Sequence, residues 1–335
     1  MADAESCGFG YRSAARLEPA YSNRRAPENH PNDEDDPAML IRSGYLRLLR
    51  PHQWIKSGFV LVGFVFHRDW FNLPLLGSVL AAAVAFSLIA SAVYIYNDFI
   101  DREGDRLHPD KQSRPMVTGD VVPWRALSLA AVLVVLALLL AATVAGKALT
   151  VILLAYLALM LAYCHGVRQV VILDVFVIAT GFLLRLLAGT EGIGIAASGW
   201  LLICGIFLAL FLGFAKRRAE LQAVSGDSMP RRVLADYSPA LLDSLIMLTG
   251  SGVMISYSLY TLSPDTVQAH GTDALLYTVP VVIYGLFRYL YLLHHRGRAQ
   301  DTARDLLSDR HLLLTVLLWL ALVIALLATP TGATA

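Results

Sequence analysis

From Leu40 onward the chain alternates between long apolar runs and short polar breaks. The runs fall at roughly 55–67, 75–99, 125–145, 148–164, 171–190, 199–216, 240–262, 275–294 and 312–329. Most approach the ~20 residues that a helix needs to cross the hydrocarbon core of a bilayer. The first run is shorter than that. No run has the two-residue alternation of a barrel strand, and none repeats another at a fixed interval. The pattern predicts nine membrane-spanning helices. Ahead of the first, Leu46-Arg-Leu-Leu-Arg-Pro-His-Gln-Trp-Ile-Lys56 reads as an interfacial approach, with Trp54 at headgroup depth and Lys56 at the start of the span. Residues 1–40 have a different texture. They mix Pro, Asn, Asp, Arg and Ser, include Asp33-Glu-Asp-Asp36 and hold no apolar core for a signal peptide. The expected organisation is a disordered tail over 1–40 and one polytopic transmembrane domain over 41–330.

Composition strengthens this picture. The 335 residues are 56% hydrophobic and 16% charged, with a mean hydropathy of +0.58. A soluble domain does not carry that average. The net charge of +1 decides little, and no nucleic-acid partner is expected. The placement of charge decides more. Of the 27 Lys and Arg residues, only Arg68 and Lys147 fall in loops on one side of a nine-span topology, and Arg185 lies inside a span. The other 24 fall in the N-terminal segment or in loops near 101–125, 165–170, 216–238 and 288–311, which nine spans place together. The positive-inside rule makes that side cytoplasmic, with the N-terminus inside and the C-terminus outside. Three cysteines, Cys7, Cys164 and Cys204, have neither disulfide-framework nor zinc-site spacing.

The polar break after the second run carries the chemistry. Tyr94-Ile-Tyr-Asn-Asp-Phe-Ile-Asp-Arg-Glu-Gly-Asp105 continues the helical pattern while turning acidic. Asn97, Asp101 and Asp105 recur at i, i+4 and i+8, which stacks them on one helix face, and Asp98 borders it. Carboxylates that close repel one another unless a cation sits among them, and oxygen-only ligands suit Mg²⁺. Arg106, His108, Lys111 and Arg114 follow directly, and such cations hold phosphate oxygens. Acids for a metal followed by bases for phosphate predict a site for a Mg²⁺-bound diphosphate. A plain charged loop between helices is the commoner meaning of such a break, but it has no reason to keep its acids at helical spacing.

Further candidates lie at the same predicted face. Asp174, Ile178, Gly181 and Arg185 share one stripe of the fifth span. Ionisable groups at membrane depth are costly and are usually functional or paired. Asp174 and Arg185 are separated by ~16 Å of helical rise, too far to pair with each other, so each needs its own partner. Lys216, Arg217 and Arg218 either anchor the sixth span or complete a cationic rim around a phosphate. Asp243 reads as a helix-start acid, and Ser308 as the cap of the last span.

These residues resemble the UbiA superfamily of membrane-bound prenyltransferases from about Leu46 to Leu327. Its N-D-x-x-D-x-x-x-D pattern stands as Asn97, Asp98, Asp101 and Asp105. Arg50-Pro-His-Gln-Trp-Ile-Lys56, Asp105 through Pro115, Asp174 with Gly181-Phe-Leu-Leu-Arg185, and Gly213-Phe-Ala-Lys-Arg-Arg-Ala-Glu-Leu221 are similar to its phosphoribosyl-transferring branch. Ser57, Arg168 and Ile178 depart from the pattern where Asn, Lys and a second-box Asp are expected. The resemblance implies an all-α integral membrane fold, a nine-transmembrane-helix bundle with a central cavity open to the cytoplasm and laterally to lipid. It implies Mg²⁺ as cofactor, held by Asp98, Asp101, Asp105 and Asp174, the first three catalytic. It implies substrate contacts from Lys56, Asn97, Arg106, Lys111, Arg114, Tyr163, Arg168, Arg185, Lys216 and Arg217. The implied reaction moves a 5-phosphoribosyl group from phosphoribosyl diphosphate to a polyprenyl phosphate lipid at the plasma membrane, towards cell-wall arabinan precursors. Homo-oligomerisation is left open. Transfer of a prenyl group from a prenyl diphosphate to a small acceptor uses the same acids and is the nearest alternative. A transporter fits less well, because the acids sit at helix ends rather than at the midplane between internal repeats.

Overall fold

The computed structural model describes residues 44–107, 111–223, 232–296 and 308–328. The tail expected over 1–40, Cys7 and His108 lie outside the described residues. The described chain is helical throughout. Its elements are a 3₁₀ helix Pro51–Val60 running into α1 (Leu61–His67), then α2 (Leu73–Asp105), α3 (Pro123–Val144), α4 (Gly146–Cys164) and α5 (Leu173–Ala188). These are followed by α6 (Gly199–Ala223), α7 (Pro239–Leu262), α8 (Val279–Arg296) and α9 (Arg310–Ala328). Eight of these segments, α2 to α9, are long and apolar enough to cross a membrane. The ninth expected span is built differently, as the ten-residue 3₁₀ helix plus the seven residues of α1. A 3₁₀ helix advances about 2 Å per residue and an α-helix about 1.5 Å. Laid end to end the two would measure roughly 30 Å, the thickness of a hydrocarbon core.

Among the described residues the two largest of four apolar clusters hold the bundle. One gathers Val60, Phe86, Ile89, Leu149, Leu153 and Tyr156 where α2, α3, α4 and α5 meet the 3₁₀ helix. The other gathers Val175, Phe211, Phe214, Leu242, Ile246 and Leu293 among α5 to α8. Close approach of small residues sets the position of the first segment. A Cβ on Gly189 would stand 1.7 Å from the Val60 carbonyl oxygen, and one on Gly63 would stand 2.5 Å from the Gly189 carbonyl oxygen. Backbone therefore packs directly on backbone where α1 crosses the end of α5. Caps fix the helix starts: the Asn72 side chain accepts from the Leu75 amide at 3.1 Å, and Ser238 from the Leu241 amide at 3.1 Å. At α9 the cap is Asp309, which accepts from the Leu312 amide at 2.9 Å, and not Ser308 as the sequence suggested. Asp309 outcompetes the neighbouring serine because it also binds Arg288 of α8 through both carboxylate oxygens.

The 33 residues of α2 span about 50 Å, well beyond the hydrocarbon thickness. Its last turns, with Asn97 to Asp105, therefore project from one end of the bundle. The end of α4, the start of the first 3₁₀ helix and the turn before α5 meet them there, through Cys164, Arg50 and Arg168.

Candidate active site

The polar end of α2 divides into two stripes. Asp98 and Asp105 are seven residues apart, nearly two full turns, so they point the same way. Arg114 Nη1 donates to both, at 2.8 Å to Asp98 and 2.5 Å to Asp105. Arg50 Nη2 donates to both oxygens of Asp98, at 2.7 and 2.9 Å, and Lys111 Nζ lies 3.5 Å from Asp105. Asn97 and Asp101, four residues apart, form the second stripe. Arg168 grips Asp101 through two nitrogens at 2.8 and 2.6 Å and reaches Asn97 Oδ1 at 3.3 Å, while Asn97 Nδ2 donates to Asp101 at 3.1 Å. The expected single face of Asn97, Asp101 and Asp105 is thus corrected. An α-helix turns 400° in four residues and 800° in eight, so the i, i+8 pair drifts off one line while the i, i+7 pair nearly keeps it.

Asp174 opens α5 in full burial, 0% exposed. It accepts from Arg217 Nε at 2.7 Å and from the Tyr237 hydroxyl at 2.7 Å. Arg217, 2% exposed, also donates to Glu220 at 2.5 Å and to the Tyr163 hydroxyl at 3.4 Å. Tyr237 accepts from the Ile172 amide at 2.7 Å, and burial raises its phenol pKa, so the hydroxyl keeps its proton for Asp174. Ile172 itself stands at φ 70°, a costly conformation for a β-branched residue, held by this bond just before the helix begins.

Arg185 is 5% exposed and meets no carboxylate among the described residues. Its guanidinium lies 4.9, 5.0 and 5.2 Å from the rings of Phe86, Tyr156 and Phe182, and donates to the Tyr156 hydroxyl at 3.1 Å and the Gly181 carbonyl at 3.2 Å. Its Nε has no hydrogen-bond partner among the described residues. Among the described residues aromatic faces surround it, where the sequence reading expected an anion or a water-filled cavity.

The other expected residues sort by position. Arg106 turns outward to Glu103 at 2.9 Å and does not join the acids. Lys56 is half-buried in the 3₁₀ helix, and Lys216 is half-buried in the last third of α6. Arg218 binds Asp243 at 2.8 Å, so it is an anchor between α6 and α7. Arg50 and Tyr237 were missed as site groups. Arg50 lay within a quoted motif, yet nothing in its spacing to Asp98, 48 residues away, reveals the contact.

The donor chemistry fits a hard divalent ion at Asp98 and Asp105. Both are carboxylates, both are buried, and their oxygens already converge on one cationic nitrogen. Asp101 and Asp174 direct their oxygens to other bases. Among the described residues no three acid, His or Cys side chains gather as a ready-made metal group.

The model of the UbiA prenyltransferase family matches residues 57–308. The chain belongs to that family. A decaprenyl-phosphate phosphoribosyltransferase of Mycolicibacterium smegmatis is 32% identical over 85% of this chain and 92% of its own length. The protein of the same name from Corynebacterium glutamicum is 34% identical over 72% of this chain and 74% of its own. A solved UbiA homolog from Archaeoglobus fulgidus, bound to DMAPP and Mg²⁺, superposes with a TM-score of 0.66 at 18% identity, over 86% of this chain and 100% of that one. This UbiA-family chain is therefore a multi-pass membrane transferase, and its helical bundle is the family fold. Asn97, Asp98, Asp101 and Asp105, on which the sequence resemblance rested, lie within the matched residues at the end of α2.

Proposed function

We propose that this chain transfers a 5-phosphoribosyl group from phosphoribosyl diphosphate to a polyprenyl phosphate such as decaprenyl phosphate, releasing diphosphate. The observation that carries this reading is the density of base around acid at one end of the bundle. Arg50, Lys111, Arg114, Arg168 and Arg217 all lie on Asp98, Asp101, Asp105 or Asp174. A donor with a diphosphate and a separate phosphate asks for more cations than a prenyl diphosphate does. The named relatives support the same choice of substrates.

In the reaction the bond from sugar C1 to the diphosphate oxygen breaks, and a bond from C1 to an oxygen of the lipid phosphate forms. Bound here, Mg²⁺ would supply charge neutralisation for the leaving diphosphate. Asp98 and Asp105 would hold it, with Asp101 and Asp174 as further carboxylate ligands. The same carboxylates stabilise positive charge that builds at C1 as its bond lengthens. Lys111, Arg114 and Arg168 orient the donor's phosphates, with Lys56, Asn97, Tyr163, Lys216 and Arg217 around them. Arg106 serves at the rim. Arg185, deeper and without an acid, is kept for an anion or sugar oxygen of the substrate. The acceptor phosphate is already anionic, so the site needs no strong general base.

The charge pattern puts this end of the bundle and the N-terminus in the cytoplasm, where a soluble donor arrives, with the bundle in the plasma membrane. There the product would feed cell-wall arabinan precursors. Purified protein given labelled phosphoribosyl diphosphate, decaprenyl phosphate and Mg²⁺ should move label into the lipid extract. Label that stays wholly aqueous contradicts the reading. A second reading, prenyl transfer to a small acceptor, draws on the DMAPP and GPP bound by the A. fulgidus neighbours. It requires a prenylated small product instead.

A further inference from the structure

The carboxylates at the projecting end of α2 already have partners, and two of those partners are held in unusual ways. Arg50 is a non-glycine residue at φ 51°, placed directly before Pro51, where the proline ring disfavours the right-handed helical conformation. That backbone turns its guanidinium onto both oxygens of Asp98 and to 5.3 Å from the Tyr94 ring. Arg114 places one nitrogen between Asp98 and Asp105, and Arg47 donates to the Ser113 carbonyl beside it, tying the loop in place. Asp98 and Asp105 are 3% and 2% exposed, whereas the two arginine side chains keep 25% and 20% of their surface in solvent. The acids are buried and the bases are partly open to solvent.

We infer that Arg50 and Arg114 are resident counter-cations of the metal site, so that the divalent ion and the diphosphate bind as a pair by exchange of partners. The inference rests on the proposed function only for the identity of these two ligands. Buried carboxylates cannot be left without a counter-charge. A divalent ion arriving alone must displace a guanidinium that then has no anion. A diphosphate arriving alone must strip a guanidinium from a buried acid. When both arrive, the carboxylates pass to the metal and the freed guanidiniums pass to phosphate oxygens, a geometry that suits their planar forks. Every charge is paired before and after. Arg217 does not take part, since it is 2% exposed and fixed by Asp174, Glu220 and Tyr163 together. Arg50 and Arg114 thus hold the acids before the ligands arrive and the diphosphate afterwards.

Titration calorimetry on the full chain in detergent tests this without turnover. The ligands are Mg²⁺ alone, inorganic diphosphate alone, and both together, corrected for their complex in solution. In the wild type, each should bind at least tenfold more weakly alone than in the other's presence. Arg50→Met should bind Mg²⁺ alone at least tenfold more tightly than the wild type and lose most of the coupling. Arg114→Met removes the other counter-cation of Asp98 and carries the same expectation should Arg50→Met fail to fold. Mg²⁺ binding that is equally tight with and without diphosphate in the wild type overturns the inference. So does either folded variant that binds Mg²⁺ alone no more tightly. A chain that shows the coupling but transfers no phosphoribosyl group refutes the functional reading and leaves the exchange standing; transfer without coupling does the reverse.

Discussion

Arg185 and Asp101 are the residues on which substrate and structural roles part most clearly. Arg185→Leu removes a charge from membrane depth along with cation–π contacts of about 0.5–2 kcal/mol. Thermal stability in detergent should be unchanged or higher, while turnover is lost. Arg185→Lys should keep the fold and weaken phosphate-dependent binding by about 1–3 kcal/mol, because the bidentate fork is gone. If the leucine variant is destabilised while its folded fraction stays active, Arg185 is a structural residue only. Asp101→Asn leaves Arg168, 26% exposed, able to turn to solvent, so the protein should fold normally. Its turnover should fall by at least about 100-fold; full activity at saturating Mg²⁺ refutes the role. At this scale the sequence revealed which residues matter better than what they touch. The acids of α2 were legible because helical spacing displays them. Their partners were not, since Asp98 to Arg50 and Asp174 to Arg217 are joined only by tertiary packing, 48 and 43 residues apart.

At the scale of elements, the first segment departs most from the sequence pattern. An apolar run has the same composition in either helix type, so nothing in 51–67 announces that its first ten residues are 3₁₀. What holds it is the backbone contact at Gly63 and Gly189. Gly189→Ala places a methyl into the Val60 carbonyl and should cost about 1–3 kcal/mol, read as a lower melting temperature; an unchanged melting temperature contradicts that packing. The α8–α9 junction gives a pH-dependent counterpart. The hydrogen bonds from Arg288 hold Asp309 down at about 2, below its ordinary 3.8. Its folded-state pKa is depressed, so its contribution is complete above about pH 4 and fades as pH falls towards 2. Asp309→Asn should therefore melt lower than the wild type at pH 7, with the gap closing in that acid window. A gap that persists at pH 2 contradicts the pairing.

At the scale of the molecule, hydropathy alone carries the all-helical membrane fold, because a bilayer leaves a spanning chain few alternatives. The charge asymmetry between Arg68 and Lys147 on one side and 24 bases on the other carries the proposed orientation. Residues 1–40 hold no apolar run, so a chain beginning near Leu40 should insert and turn over like the full protein; loss of activity with intact folding would give residues 1–40 a part in the site. The central claim is the choice of donor, which the shared acids Asp98, Asp101 and Asp105 do not settle and the surrounding bases favour. The most direct measurement is the ratio of kcat/KM for phosphoribosyl diphosphate with decaprenyl phosphate to that for a prenyl diphosphate with a small aromatic acceptor, on one preparation. The account predicts a ratio of at least about 1,000, equivalent to roughly 4 kcal/mol of transition-state discrimination. A ratio near or below one would contradict it.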